Sequence, residues 1–389
     1  MKKKKYNISL NQPFLNGNEK KYLIDCINSN WVSTVGPYVK KFEYSFSNFL
    51  GSSYAVACSS GTAALHLALL AIGVKKNDLV IVPNLTFIAT ANVVKYTGAE
   101  PILIDVNYNN AHLDLELLEK FLSEECYINK TSCIHIATEK NIKAIIPVHI
   151  LGHAIDMIKL KKIVKKYFIK IIEDAAEAIG VKFKNKYIGF HGDISCFSFN
   201  GNKTITSGSG GMIATNSKSL AKKVRHLSTQ AKTNKTEFLH DEVGYNYRMS
   251  NIHSAIGLAQ LEKLNLYLDK KKKIANRYIK AFKKIEDLTW ISPIEEIDSS
   301  WWLFTIIIKN KKLSADRILK ELNINGIQAR KLWKPLNMLK PYKKAIFVGK
   351  NTSFNLYKNS ISIPSSANLK KDEQDFVIDL ISKLLKIKQ

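Results

Sequence analysis

Arginine is scarce in this chain. Of its 59 basic residues only five are arginine (Arg225, Arg248, Arg277, Arg317 and Arg330), and the other 54 are lysine. A net charge of +26 would ordinarily suggest a nucleic-acid partner. Nucleic-acid sites favour the bidentate arginine fork, however, and here the lysines are scattered along helices without interleaved aromatics. The excess reads instead as a solvated, lysine-biased surface of the kind codon drift in AT-rich DNA produces. No nucleic-acid partner is expected, whereas an anionic small substrate remains compatible.

Other absences narrow the field further. No apolar run approaches the roughly 20 residues of a membrane span, so no membrane partner is expected. The start, Met1-Lys2-Lys3-Lys4-Lys5-Tyr6, is charged like a signal peptide, but no apolar segment follows it. A cytoplasmic location is expected. The five cysteines (Cys26, Cys58, Cys126, Cys133, Cys196) are dispersed and form no CxxC pair, so they suggest neither a disulfide framework nor a zinc site. His149 and His153 show no metal spacing with a carboxylate, so they read as structural and no metal site is expected. Gly201-Asn202-Lys203-Thr204 ends like a phosphate-binding P-loop, but Phe197 and Asn202 stand where that motif needs glycines. Gly208-Ser209-Gly210-Gly211 lacks dinucleotide-binding spacing and precedes a strand instead of a helix.

What is present is an ordinary globular composition, 46% apolar and 24% charged. At 389 residues the chain is long enough for two lobes. Short apolar runs at 54–58, 79–83, 101–105, 144–148 and 170–172 have the look of buried strands. They alternate with helical patterns at 63–72, 87–96, 113–122 and 155–167. That rhythm predicts an α/β fold, a mostly parallel sheet with helices on both faces. Residues 124–141 are polar and read as an excursion or hairpin outside the sheet. A long amphipathic helix over 252–282, a strand over 301–308 and a closing helix over 372–386 predict a smaller α+β lobe. The expected division is 1–255 for the large lobe, with its N-terminal helices, and 256–389 for the small one.

Lys203 carries the chemistry. It follows a predicted strand, 194–199, and small residues surround it in Asn200-Gly201-Asn202-Lys203-Thr204. A poorly solvated amine in such a place can act as a nucleophile. Asp174 ends the apolar run Lys170-Ile171-Ile172 and needs a partner, because a lone buried carboxylate is costly. An imine-forming lysine and a carboxylate that keeps a ring nitrogen protonated are what pyridoxal phosphate requires. Ser59-Ser60-Gly61-Thr62-Ala63 joins a strand to a helix and offers an anion site at the helix start, although an ordinary N-cap explains the same residues. Phe87 holds the corresponding place one unit later, as a stacking ring or a core residue. Glu177, one turn beyond Asp174, either reaches the ring's 3-oxygen or faces solvent. Asn246 is a candidate phosphate donor, and Arg248 and Arg330 are candidate forks for a carboxylate or phosphate.

Read together, these segments resemble the DegT/StrS sugar aminotransferases. The resemblance runs nearly end to end. It includes Trp31-Val32-Ser33-Thr34-Val35-Gly36, Ser60 to Leu69, Glu173 to Gly180, the lysine block, and Gly244 to Arg248 with Ala255, Gly257, Gln260 and Leu261. The Asn200 to Lys203 lead-in, His240 to Arg248 and Ile363-Pro364-Ser365-Ser366 are most similar to the LegC-type branch, which makes 4-amino sugar nucleotides for legionaminic acid or bacillosamine. The resemblance implies the type I (aspartate aminotransferase) fold and pyridoxal 5'-phosphate as cofactor, with pyridoxamine phosphate carrying the amino group. It implies that Lys203 bonds the cofactor, Asp174 pairs with the ring nitrogen and Phe87 stacks on the ring. Gly61, Thr62, Ala63 and Ser198 would hold the phosphate, and Glu177 would sit near the 3-oxygen. Asn246 would reach the cofactor of a neighbouring subunit, making a homodimer with shared sites.

Substrate contacts are expected from Thr34 in the Trp31–Gly36 loop, Arg248, Trp302 and Arg330. Ser209 and Glu177 depart from the family's usual acid and glutamine. A sister group of sugar dehydratases has histidine in place of the lysine, so Lys203 points to amine transfer. The implied reaction moves an amino group from L-glutamate to the C4 ketone of a nucleotide-linked 6-deoxysugar, first a UDP-2-acetamido-2,6-dideoxy-4-ketohexose. The alternatives are a GDP-linked 4-ketosugar, as in a perosamine synthase, and a non-catalytic basic binding protein on the same fold.

Overall fold

The computed structural model describes residues 7–234, 236–310 and 313–386. The lysine-rich start, residues 1–6, lies outside them. The main sheet runs in the order Tyr54–Cys58, Gly211–Thr215, Ile194–Ser198, Lys170–Asp174, Lys140–Ile145, Leu79–Pro83, Glu100–Ile104 and Ile346–Val348. Gly211–Thr215 pairs antiparallel with both its neighbours, and every other pairing along this order is parallel. The sheet is therefore mixed and mostly parallel, as expected.

Successive residues of one strand feed opposite faces. Leu79 and Ile81 join the core that also holds Phe42, Phe46, Phe121, Leu160 and Leu258. Val80 and Val82 join the other, with Leu65, Leu67, Leu69, Val94 and Leu227. Helices thus cover both faces, which is why strands such as Leu79–Pro83 are apolar and buried throughout. Glu43 ties one helical layer to the sheet. Its carboxylate accepts from the Ala57 N–H at 2.8 Å and from both Arg225 terminal nitrogens at 2.7 Å.

A second, antiparallel sheet pairs Leu288–Trp290, Phe304–Ile308, Ser360–Ile363 and Arg330–Lys331. Its core takes Tyr278 and Phe282 from helix Leu264–Phe282, Ile318 and Leu322 from Ala315–Ile324, and Val377 and Ile381 from Lys371–Lys386. Two segments cross between the cores. Ile8, near the N-terminus, packs in this second core, and Ile346–Val348 returns to the edge of the main sheet.

Four expectations need correction. The helix over 252–282 is two helices, Asn251–Glu262 and Leu264–Phe282, broken at Lys263 (φ −104°, ψ 1°). Ala255 and Leu258 of the first pack in the main core, and Ile274, Tyr278 and Phe282 of the second in the small-lobe core. A single straight rod would have to serve both. The strand over 301–308 starts only at Phe304, because Trp301 has a positive φ (47°) and turns the chain. The run over 144–148 belongs to a strand that begins earlier, Lys140–Ile145, and leaves Val148 in an isolated bridge to Asp174. Residues 124–141 do contain a hairpin, Cys126–Asn129 with Ser132–His135, but it bonds to the start of Lys140–Ile145 and so joins the main sheet.

Helix Asn251–Glu262 presses closely on Pro37–Leu50. A Cβ on Gly257 would lie 2.7 Å from the fully buried Phe42 ring. Overpacking of this kind costs about 1–3 kcal/mol. Gly257→Ala should lower stability by that amount in urea unfolding, and an unchanged midpoint would mean that the ring has room to move.

Candidate active site

Four loops at the carboxyl ends of parallel strands meet at one place. Ser59 and Ser60 follow Tyr54–Cys58, and the loop to Phe87 follows Leu79–Pro83. Asp174 closes Lys170–Asp174, and Ser198 closes Ile194–Ser198. Ligands of open α/β sheets bind outside these ends. A cavity of about 400 Å3 opens there, and its walls include Gly61, Thr62, Phe87, Asp174, Glu177 and Lys203. Ser198, Trp302 and Arg330 also line it.

Helix Gly61–Ala71 begins at this cavity. Ser60 caps it, accepting from the Ala63 N–H at 3.0 Å, so Ala63's amide is already engaged. The preceding N–H groups, of Gly61 and Thr62, belong to the first turn, where no intrahelical partner exists. The turn is packed against its neighbours. A Cβ on Gly61 would meet Ser198 Cβ at 2.8 Å, and one on Gly211 would meet the Ser60 carbonyl oxygen at 2.4 Å. Ser209, which departs from the family's usual acid, donates to the Ser59 carbonyl at 2.9 Å and locks the glycine turn to this one.

Asp174 is buried. Its carboxylate accepts from Thr90 Oγ1 at 2.8 Å and from the Ala176 N–H at 3.1 Å. Burial pushes its pKa up, while the Thr90 and Ala176 bonds and the charge of Lys203 pull it down. Glu173, one residue earlier, is fully buried and accepts from the N–H groups of Gly189, His191 and Gly192, with His149 Nε2 at 3.1 Å. His149 thus pairs with Glu173 across the strand end.

The Lys203 side chain is largely buried, and its Nζ lies 3.7 Å from Glu177 Oε1 and 4.2 Å from the centre of the Trp302 ring. Glu177 does not face solvent. Its other oxygen accepts from the Leu151 N–H at 2.7 Å, and burial pushes its pKa up to about 7 against the pull of Lys203. Phe87 is no core residue either, being 54% exposed on the cavity wall.

The remaining expected residues divide. Trp302 is buried, donates from Nε1 to the Asn202 carbonyl at 2.6 Å, and packs on Lys203 and beside Trp333. Arg330 stands exposed at the cavity rim on the short strand Arg330–Lys331. Thr34, Asn246 and Arg248 do not line the cavity of the single chain, and Arg248 donates to the Thr34 carbonyl. The sequence reading missed Thr90, which holds Asp174. Its signal was a hydroxyl one helical turn after Thr86, on a helix face that proves buried.

These residues fit pyridoxal phosphate. A buried carboxylate reaches the cavity wall, where a ring N–H would satisfy it, and an exposed aromatic offers a stacking face. A helix start flanked by Thr62 and Ser198 suits a phosphate, and an amine stands between them.

A family model described as the DegT/DnrJ/EryC1/StrS aminotransferase family matches residues 13–382. The chain belongs to that family. The GDP-perosamine synthase of Escherichia coli O157:H7 is 36% identical to this aminotransferase, over 96% of this chain and 98% of its own length. The UDP-4-amino-4,6-dideoxy-N-acetyl-beta-L-altrosamine transaminase of Campylobacter jejuni (serotype O:2) is 32% identical, over 92% and 93%. Among solved structures, Helicobacter pylori PseC, an aminotransferase involved in the biosynthesis of pseudoaminic acid, superposes with a TM-score of 0.87 at 27% identity. That match covers 98% of this chain and 99% of PseC. The aminotransferase is pyridoxal-phosphate dependent and acts on nucleotide sugars. Among its described residues no helix is long and apolar enough to cross a membrane.

Glu177 sets a pH signature in the cofactor-free aminotransferase. Its folded pKa, about 7, lies above the ordinary 4.5. Between those values the folded chain holds a proton that the unfolded chain gives up, so raising pH favours unfolding, by on the order of 3 kcal/mol across the window. Thermal melts from pH 4.5 to 7 should therefore show a falling contribution that Glu177→Gln removes. Parallel curves for the two proteins would contradict the assignment.

Proposed function

We propose that this enzyme transfers an amino group from an amino acid, L-glutamate, to the C4 ketone of a nucleotide-linked 6-deoxy-4-ketosugar for surface-glycan synthesis. The observation that carries the reading is Lys203 Nζ in one cavity with the buried carboxylate of Asp174 and the helix start at Gly61-Thr62. When bound, the cofactor supplies an electron sink that makes the proton on the amine-bearing carbon removable.

The chain's own residues do the rest. Lys203 Nζ would hold the cofactor and, once freed, would move a proton at the amine-bearing carbon. Asp174 would hold the ring nitrogen, and Thr90 and Ala176 keep its carboxylate aimed. Phe87 would stack on the ring, and Thr62 and Ser198 would hold the phosphate. Glu177, buried beside Lys203, is placed to exchange a proton with it. Arg330 at the rim suits the anionic part of a substrate.

A homodimer completes the site in this reading. Trp31, Val35, Phe238 and Val243 are exposed apolar residues near the Thr34–Arg248 pair or the Asn246 segment, and Val243 is 80% exposed. Burying them against a second copy would bring Asn246 to the partner's cofactor phosphate. A fully active monomer would contradict this.

Two observations divide over the nucleotide. The lysine block and the tail at 363–366 resemble enzymes that use the UDP-linked 2-acetamido sugar, and the Campylobacter relative agrees. The relative named GDP-perosamine synthase has the higher identity and coverage, which puts GDP-4-keto-6-deoxymannose first in a test. Purified enzyme should be yellow, change its absorbance on adding glutamate, and yield an amino sugar of the expected mass from one of the two 4-ketosugar nucleotides. Lys203→Ala should abolish the absorbance change and lower turnover by at least about 1,000-fold. Product from neither nucleotide, or unchanged turnover in Lys203→Ala, would overturn the proposal.

A further inference from the structure

Lys271, on helix Leu264–Phe282, is 2% exposed and lines no part of the cavity. Its ammonium donates to three neutral oxygens: Asn11 Oδ1 at 3.0 Å, the Trp302 carbonyl at 3.1 Å and the Ser365 carbonyl at 2.6 Å. Three acceptors match the three N–H groups of a charged lysine. Burying that charge without a carboxylate is expensive, and burial pulls its pKa down to about 7. An apolar side chain would fill the space without this cost but would leave the Asn11, Trp302 and Ser365 oxygens without this donor, so the ammonium is there for what it holds.

Two of the residues that Lys271 holds, Asn11 by its side chain and Trp302 by its carbonyl, share a target. Asn11 Nδ2 donates to the Asn202 carbonyl at 2.5 Å, and Trp302 Nε1 donates to the same oxygen at 2.6 Å. That carbonyl belongs to the peptide bond whose nitrogen is Lys203's own. The Lys203 N–H in turn donates to the Asn200 carbonyl at 3.0 Å, so both sides of the peptide are fixed. Trp301 adds to the construction. It adopts φ +47°, which is unusual for a bulky residue, and the turn sends the Trp302 carbonyl to Lys271 and its indole to Asn202.

We infer that Lys271 is a positioning residue for Lys203, acting through Asn11 and Trp302 on the Asn202–Lys203 peptide. Three segments far apart in sequence (the N-terminal stretch, the Trp301-Trp302 turn and helix Leu264–Phe282) grip the backbone of the reactive lysine by way of one ammonium. This inference rests on Lys203 being the cofactor-bonded lysine. Its consequence is that removing the ammonium loosens the Lys203 peptide.

The test uses Lys271→Met and Asn11→Ala in the full-length chain. Amide hydrogen exchange across residues 200–206 should quicken in both variants, with or without cofactor. The kcat for amine transfer should fall on the order of tenfold to a hundredfold, with the KM for the nucleotide sugar unchanged. The absorbance maximum of the bound cofactor should shift. The double variant should lose less than the sum of the two single losses, because both cut one chain of contacts. A lower melting temperature in Lys271→Met with exchange, kcat and absorbance all as in the parent would overturn the inference. Full additivity in the double variant would do the same. If Lys271→Met does not fold, Lys271→Gln replaces it: quicker exchange at residues 200–206 at an unchanged melting temperature supports the role, and unchanged exchange refutes it. Cofactor absorbance that survives Lys203→Ala would remove the reading beneath the inference, whereas the exchange measurement reports on the grip itself.

Discussion

Strand direction is the constraint on which the site depends. Apart from Gly211–Thr215, the strands along the main sheet run the same way, so their carboxyl ends crowd along one edge. Each loop leaving that edge places a residue at the same height. Ser60, Gly61 and Thr62 come from one end, Phe87 from another, and Asp174 and Ser198 from two more. The antiparallel strand Gly211–Thr215 starts at that same edge, with Gly211 beside Ser198 and Cys58, and runs the other way. Between Ser198 and Gly211 the chain therefore makes a compact excursion over the cavity, and Lys203 sits within it.

Burial then gives these residues their chemistry. Asp174 and Glu177 share a poorly solvated wall in which charge is costly, and Lys203 is the positive group acting on both. The two acids differ in what holds them. Asp174 has a hydroxyl and a backbone N–H, which favour the ionised form that a protonated ring nitrogen needs. Glu177 has one backbone N–H and the Lys203 amine at 3.7 Å, and its pKa is pushed up to about 7, where it can give or take a proton. Burial raises the pKa of both acids, and Lys203 pulls against that shift in each.

The sequence made some of this legible and hid the rest for physical reasons. Asp174, Lys203 and the Gly61-Thr62 turn could be found because strand ends and helix starts leave local patterns, an apolar run that stops at a polar residue or a serine before a helix. Phe87 and Glu177 were located, but whether each faced core, cavity or solvent depended on packing that no local pattern records. Thr90 was missed because a threonine on a helix gives no sign of the acid it supports. The grip of Lys271 and Asn11 on the Asn202 carbonyl joins segments up to about 260 residues apart, so only the folded chain reveals it. The break at Lys263 escaped because the apolar period continues through it, while the two halves serve different cores. Thr34, Asn246 and Arg248 do not line the single-chain cavity.

The most direct measurement is chemical. Borohydride treatment of the cofactor-bound enzyme, followed by digestion and mass mapping, fixes the cofactor to whichever amine holds it. The account expects the added mass on Lys203 and on no other of the 54 lysines. Labelling at a different lysine, or no covalent label in an enzyme that still transfers amine, would contradict it.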